Sequence, residues 1–141
     1  MNHRIKNILI TGGGGYIGTN LVQNLLEDGY QVRVIDTFWF GNYLKKNKNL
    51  KILKKDMRDI VEKDVEKIDC ILHLASIAND PAAELDASLT WDVNVLATYR
   101  LINIAIKKRV KKFIFASSGS VYGIKKEKKV TENLALEPVS E

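Results

Sequence analysis

Cysteine occurs once in these 141 residues, proline twice, and no apolar run approaches the length of a membrane span. The lone Cys70 lies inside the apolar run Asp69-Cys-Ile-Leu-His-Leu74, which reads as a strand holding a small buried hydrophobe rather than a nucleophile or metal ligand. Membrane-spanning helices need about 18 or more consecutive apolar residues, so no membrane partner is expected. Residues 1–6 lead straight into a strand-like segment instead of a signal sequence, and a cytoplasmic protein is expected. No repeat, proline-rich linker or low-complexity tract separates a second domain. One domain is therefore expected over residues 1–141, and 45% hydrophobic residues suffice for a real core.

Acidic charge is also in deficit, 17 residues against 22 basic ones, for a net charge of +5. The lysines fall in separate runs, Lys45–Lys51, Lys107–Lys112 and Lys125–Lys129, and none alternates with stacking aromatics. Such runs read as solvated helix ends and loops, and no nucleic-acid partner is expected.

What the chain does have is glycine in one place. Ile8-Leu-Ile-Thr-Gly-Gly-Gly-Gly-Tyr-Ile-Gly18 is an apolar strand that breaks into glycines and resumes as a helix, with Leu21, Val22, Leu25 and Leu26 at helical spacing. A strand, a tight turn and a helix N-terminus offer unpaired N–H groups to a dinucleotide pyrophosphate. The spacing permits Gly13-x-Gly15-x-x-Gly18 or Gly12-x-x-Gly15-x-x-Gly18. In both, an early glycine makes the turn, Gly15 lets the backbone approach the diphosphate, and Gly18 lets the helix lie close to the strand. Asp36 closes the next strand, Gln31-Val-Arg-Val-Ile35, where its carboxylate can accept both ribose hydroxyls. It would repel a 2′-phosphate, and neighbouring Thr37 and Phe38 supply no arginine to receive one, which favours NAD over NADP.

Strand-like runs recur at Lys6–Thr11, Gln31–Asp36, Leu50–Lys54, Cys70–Leu74 and Phe113–Ser117, alternating with helical stretches near Tyr16–Glu27, Arg58–Lys67 and Ala83–Lys108. This pattern predicts an α/β, Rossmann-type doubly wound parallel sheet of order 3-2-1-4-5, with the crevice between the first and fourth strands. The aromatic stretch of Phe38, Trp39, Phe40 and Tyr43 can pack beside an adenine or form a local hydrophobic cluster. The long helix carries two apolar lines, one of Leu85, Leu89, Val93 and Leu96 and one of Trp91, Val95, Ile102 and Ala105. Two faces then need partners: the sheet and a missing helix or second subunit, which makes a homodimer through residues 83–108 an expectation.

These motifs together resemble the N-terminal part of the extended short-chain dehydrogenase/reductase family, the NAD-dependent nucleotide-sugar epimerases and dehydratases. Thr11-Gly-Gly-Gly-Gly-Tyr-Ile-Gly18 is similar to the family's Thr-Gly-x-x-Gly-x-x-Gly loop; the resemblance selects the register Gly12, Gly15, Gly18 and assigns the Tyr16 and Ile17 N–H groups to the diphosphate. It implies that Asp56 accepts from the adenine amino group and that the Met57 N–H donates to the ring, although as an ordinary helix N-cap Asp59 is the better candidate. His73-Leu-Ala-Ser76 resembles the fourth-strand motif whose backbone, at Leu74, Ala75 and Ser76, lines the crevice. His73 itself reads as a satisfied structural histidine. Asn94 matches the helix asparagine that orders the active-site floor. Ala116-Ser-Ser-Gly-Ser-Val-Tyr-Gly123 resembles the Ser-Ser-x-x-Val-Tyr-Gly turn, which assigns the sugar-oxygen donor to Ser118, places Ser117 nearer the nicotinamide and Ser120 near the nucleotide-sugar substrate.

The family's base is a tyrosine made more acidic by a lysine four residues later. Tyr122 and Lys126 have that spacing, but Tyr122 belongs to the serine turn and Lys125–Lys129 is lysine-rich enough for a chance match. The expected pair follows a segment like Val130–Glu141. The resemblance thus implies a cofactor-binding part truncated before the sixth strand, lacking base and sugar-binding region and inactive alone; a non-catalytic NAD-sensing module or a partner of an intact family member are the alternatives.

Overall fold

The computed structural model describes residues 5–78 and 85–139. Five parallel strands, β1 (Asn7–Thr11), β2 (Gln31–Asp36), β3 (Leu50–Lys54), β4 (Cys70–His73) and β5 (Lys112–Phe115), form one sheet of order β3-β2-β1-β4-β5. This is the expected order, with β1 paired to β2 on one side and β4 on the other. Successive side chains alternate between faces, so Ile8, Ile10, Val32 and Val34 pack with Val22 and Leu26 of α1 (Tyr16–Glu27), while Leu9, Ile35 and Ile71 pack on the opposite side. A central parallel strand is covered on both faces, hence the unbroken burial of Ile8 to Thr11. No helix among the described residues is long and apolar enough to cross a membrane.

Helix α1 ends in a Schellman motif: the Tyr30 N–H donates to the Leu25 carbonyl at 3.0 Å and the Gly29 N–H to Leu26 at 3.1 Å. Gly29 stands at φ +84°, as glycine at that position allows. For β1, α1 and β2 the expected limits hold to within a residue, whereas β5 ends at Phe115, two residues before the expected Ser117.

The second face departs from expectation in two ways. Arg58–Lys67 is not a helix but two short 3₁₀ turns, Met57–Asp59 and Glu62–Val65, separated by extended Ile60 and Val61. Arg33 supplies the reason: its Nη1 donates to the carbonyls of Asp64 (2.6 Å) and Glu66 (3.2 Å), turning that backbone toward β2. Ile60, Val65 and Ile68 reach the core from this non-helical backbone.

The second departure lies in the long helix, whose predicted residues 83 and 84 fall outside the described residues. It runs as α2 (Ala87–Trp91), a π-helical turn (Asp92–Ala97) and α3 (Thr98–Lys107). The wider turn brings Val93, Ala97, Leu101 and Ala105, each four apart, onto the buried line. The two predicted apolar lines are therefore redistributed: Val93 and Ala105 are buried, whereas Leu85, Leu96, Trp91, Val95 and Ile102 are exposed. The helix closes in a second Schellman motif, Val110 N–H to Ala105 O (2.9 Å) and Arg109 N–H to Ile106 O (3.0 Å), this time with Arg109 in the left-handed region at φ +55°.

At the N-terminal edge of the sheet Asp69 fastens three strands. Its Oδ2 accepts from the N–H groups of Lys6 and Asn7 at 3.0 and 2.9 Å, and Oδ1 accepts from Lys111 Nζ at 2.6 Å. The Lys111 ammonium, with the Asn7 N–H next, holds this carboxyl well below the usual carboxylate range. The opposite edge is left to loops.

Candidate functional site

At that opposite edge β1 runs into the glycine turn and β4 into Leu74–Ser76, where the strand order reverses and an open α/β sheet forms its crevice. Gly12 leaves β1 at φ +74°, and a Cβ there would lie 2.6 Å from the Ala75 backbone nitrogen, so turn and fourth-strand loop meet with no room for a side chain. A Cβ on Gly18 would press into the Gly12 carbonyl and the Gly13 backbone. Gly15 differs: its φ is −75° and a Cβ would meet only the Gly12 oxygen at 3.4 Å, an ordinary contact. The fold needs glycine at 12 and 18; at 15 it leaves open the side from which a ligand would come. As the N-cap of α1, Gly15 is followed by Tyr16 and Ile17, whose first-turn N–H groups have no preceding helical carbonyl to bond. Their side chains point to solvent, 91% and 66% exposed.

Gly13 and Gly14, the two unspecified positions of the selected register, have their own constraints. A Cβ on Gly13 would lie 2.8 Å from Val34 Cγ1, and one on Gly14 would lie 2.6 Å from the Phe38 ring. The run of four consecutive glycines was the signal, unread because each clash comes from β2 and the loop after it.

Asp36 ends β2 at the rim of the same cavity. Its Oδ2 accepts the Gly14 N–H at 2.8 Å and its Oδ1 the Phe38 N–H at 2.7 Å. A carboxylate has about four lone-pair sites, so each oxygen retains one for a ribose hydroxyl. Asp56 and Met57 line the far wall with Leu74, Ala75 and Ser76. Here one expectation is corrected: the cap of the 3₁₀ turn is Asp56, not Asp59, which is the turn's last residue. Asp56 Oδ1 accepts from the Arg58 N–H (2.8 Å) and Nε (3.1 Å), and Oδ2 from Nη2 (2.9 Å). The Arg58 guanidinium lowers the Asp56 carboxyl below its ordinary value, and only part of its acceptor capacity remains.

Behind the cavity, His73 is 1% exposed. Its Nδ1 lies 2.6 Å from Thr11 Oγ1 and its Nε2 2.7 Å from Thr98 Oγ1, while its ring stacks on Phe115 at 5.5 Å. Burial pushes its pKa down to about 4. Both nitrogens are occupied, which is the satisfied structural histidine expected from its apolar surroundings. Thr11, the first residue of the glycine motif, and Thr98 thereby couple the glycine turn to the long helix. Asn94, on the π-helical turn, accepts the Ile77 N–H at 2.8 Å and donates to the Ile77 carbonyl at 3.1 Å, fixing the loop after β4. Cys70 is buried, and burial raises its thiol pKa.

The serine turn after β5 stands apart from this packing. Ser117 and Ser118 are exposed; Ser118 caps the 3₁₀ turn Gly119–Tyr122 by accepting the Ser120 N–H at 3.1 Å, leaving its hydroxyl proton free to donate elsewhere. Tyr122 ends that turn, and Lys125, rather than Lys126, forms an ion pair, with Glu137 at 2.6 Å.

A 3-2-1-4-5 parallel sheet with a glycine turn at its reversal and a carboxylate ending β2 defines a Rossmann-type dinucleotide-binding domain. The chain belongs to the NAD dependent epimerase/dehydratase family, whose model matches residues 8–141. It is 31% identical over 137 residues to a UDP-glucose 4-epimerase of Lactobacillus helveticus, covering 94% of this chain and 42% of that protein. Among solved structures it is similar to a UDP-N-acetylglucosamine 4-epimerase from Methanobrevibacter ruminantium in complex with UDP-N-acetylmuramic acid, with a TM-score of 0.90 and 32% identity over 97% of this chain and 46% of that one. A dTDP-glucose 4,6-dehydratase from Streptomyces venezuelae with NAD bound gives a TM-score of 0.87 at 27% identity, covering 95% and 46%. The chain thus spans less than half the length of these relatives. NAD is the cofactor of the family, and the open side of Gly15 and the spare acceptors of Asp36 fit it.

Proposed function

We propose that residues 8–141 form the NAD-holding part of an enzyme that acts on a nucleotide sugar, an epimerase or dehydratase. The observation that carries this reading is Gly15, a glycine that the protein's own packing does not require, at a helix N-terminus beside a carboxylate with acceptors to spare. The Tyr16 and Ile17 N–H groups and the helix dipole bind the diphosphate. Asp36 accepts the ribose hydroxyls and disfavours a 2′-phosphate. Asp56 and the Met57 N–H meet the adenine edge, Leu74, Ala75 and Ser76 line the diphosphate and ribose, and Asn94 holds the crevice floor through Ile77. When bound, NAD supplies hydride exchange with a sugar carbon. Ser118 holds the reacting sugar oxygen, with Ser117 toward the nicotinamide.

Trp91, Val95, Tyr99, Ile102 and Ile106 form an exposed stripe along the long helix, at spacings that keep one helical face, and support pairing with a second copy. The reading carries a cytoplasmic location, where the unpaired Cys70 stays a thiol. Calorimetric titration tests it: NAD binds and NADP binds more weakly. A folded sample that takes up neither would overturn it.

A further inference from the structure

The contacts proposed for Asp56 and Met57 leave the adenine thinly held. Asp56 spends most of its acceptor capacity on Arg58, so one edge contact and a backbone N–H are poor means of fixing a flat aromatic ring. A purine also presents two π faces, and stacking on aromatic side chains is the strong way to hold one.

The turn after β2 carries such side chains. Phe38 adopts φ +56°, a left-handed conformation that is strained for a bulky residue, and the strain is held by the Asp36 Oδ1 bond to its N–H. Its ring packs down on Gly14, which has no side chain to resist it. The Gly41 N–H closes the turn on the Phe38 carbonyl at 3.1 Å, with Gly41 itself at φ +95°. This anchored reversal sets Trp39 and Phe40 in the wall of the cavity shared with Asp36 and Met57. Both nevertheless remain 62% and 84% exposed. Tyr43 is as exposed but packs against Gly41 and takes no part in the wall.

Resting on the NAD-binding reading, we propose that Trp39 and Phe40 form an aromatic flap that closes on the adenine of the bound dinucleotide. The carboxylate that receives the ribose also holds the root of the flap, so Asp36 ties sugar recognition to base stacking. The flap reads the adenosine half alone and is indifferent to the nicotinamide.

Trp39 and Trp91 are the two tryptophans of the chain, and Trp91 lies outside the cavity wall. In a Trp91→Phe protein, emission therefore reports Trp39. Titration with AMP, ADP-ribose and NAD should each change that emission saturably, and nicotinamide mononucleotide should not. Trp39→Ala and Phe40→Ala, both at exposed positions, should each raise the calorimetric Kd for NAD roughly tenfold, as loss of one base stack does. NAD binding with a silent Trp39, or with unchanged Kd in both alanine variants, would overturn the flap while sparing the cofactor reading. Absence of any NAD binding by the folded protein would overturn both.

Discussion

The glycine turn and the serine turn both follow a strand at the same edge of the sheet, yet they are built differently. In the first, backbone packs on backbone: Gly12 against Ala75, Gly18 against Gly12 and Gly13, with Asp36 and His73 bonded from the sides. In the second, Ser117 to Ser120 are exposed, the Ser118 cap and the Glu137 N–H bond to the Val121 carbonyl at 2.9 Å hold the turn, and backbone meets backbone at its end, where Gly123 abuts the Glu137 carbonyl. The diphosphate site proposed for the first needs rigid donors that do not reorganise, and the fold's own packing supplies that rigidity. The edge strand β5 leaves Ile114 and Phe115 exposed beside this turn.

The largest expected effect lies in the glycine turn. Gly12→Ala combines a left-handed backbone with a clash into Ala75 and should cost about 3 kcal/mol of unfolding free energy, read by urea denaturation; a loss under about 1 kcal/mol would mean the turn is looser than described. Next comes His73, which joins the two regions through Thr11 on one side and Phe115 on the other. Unfolded, it takes a proton near its ordinary 6.5; folded, it resists until about 4. The unfolded state therefore binds more protons between those values, and the stabilisation present above pH 6.5 is lost as pH falls toward 4. From pH 7 to pH 5, above the main carboxylate range, stability should drop by about 2 kcal/mol, and His73→Gln should remove most of that dependence.

Smaller effects fall on the serine side. Ser118→Ala removes one exposed cap and should lower stability by only about 0.5–1 kcal/mol; a large loss in urea denaturation would show that the turn bears on the core after all. Arg109, in the loop that leads to β5, occupies a left-handed C′ position that suits glycine. Arg109→Gly should raise stability by roughly 0.5 kcal/mol, measured as a small increase in Tm.

The features legible in the sequence were those set by local chemistry. The apolar runs gave the strands, Gly29 marked the end of α1, and the glycine spacing with Asp36 marked the crevice. Features set by distant partners were not legible. Nothing within Arg58–Lys67 announces that Arg33 takes its carbonyls, and its amphipathic pattern reads as a helix. The π-helical turn was written only in the four-residue spacing of Val93, Ala97, Leu101 and Ala105, a pattern that a helical reading absorbs without notice. Asp56 and Asp59 were indistinguishable as caps until Arg58 selected one. Gly13 and Gly14 likewise owe their identity to Val34 and Phe38, more than 20 residues away.

On the proposed reading, Gly15 is glycine for a ligand and not for the fold. It is tested by unfolding and NAD calorimetry on Gly15→Ala beside the unaltered protein. The two unfolding free energies should lie within about 1 kcal/mol of each other, and the NAD affinity of the variant should be at least tenfold weaker. A variant that binds NAD as well as the parent, or one that fails to fold, would contradict it.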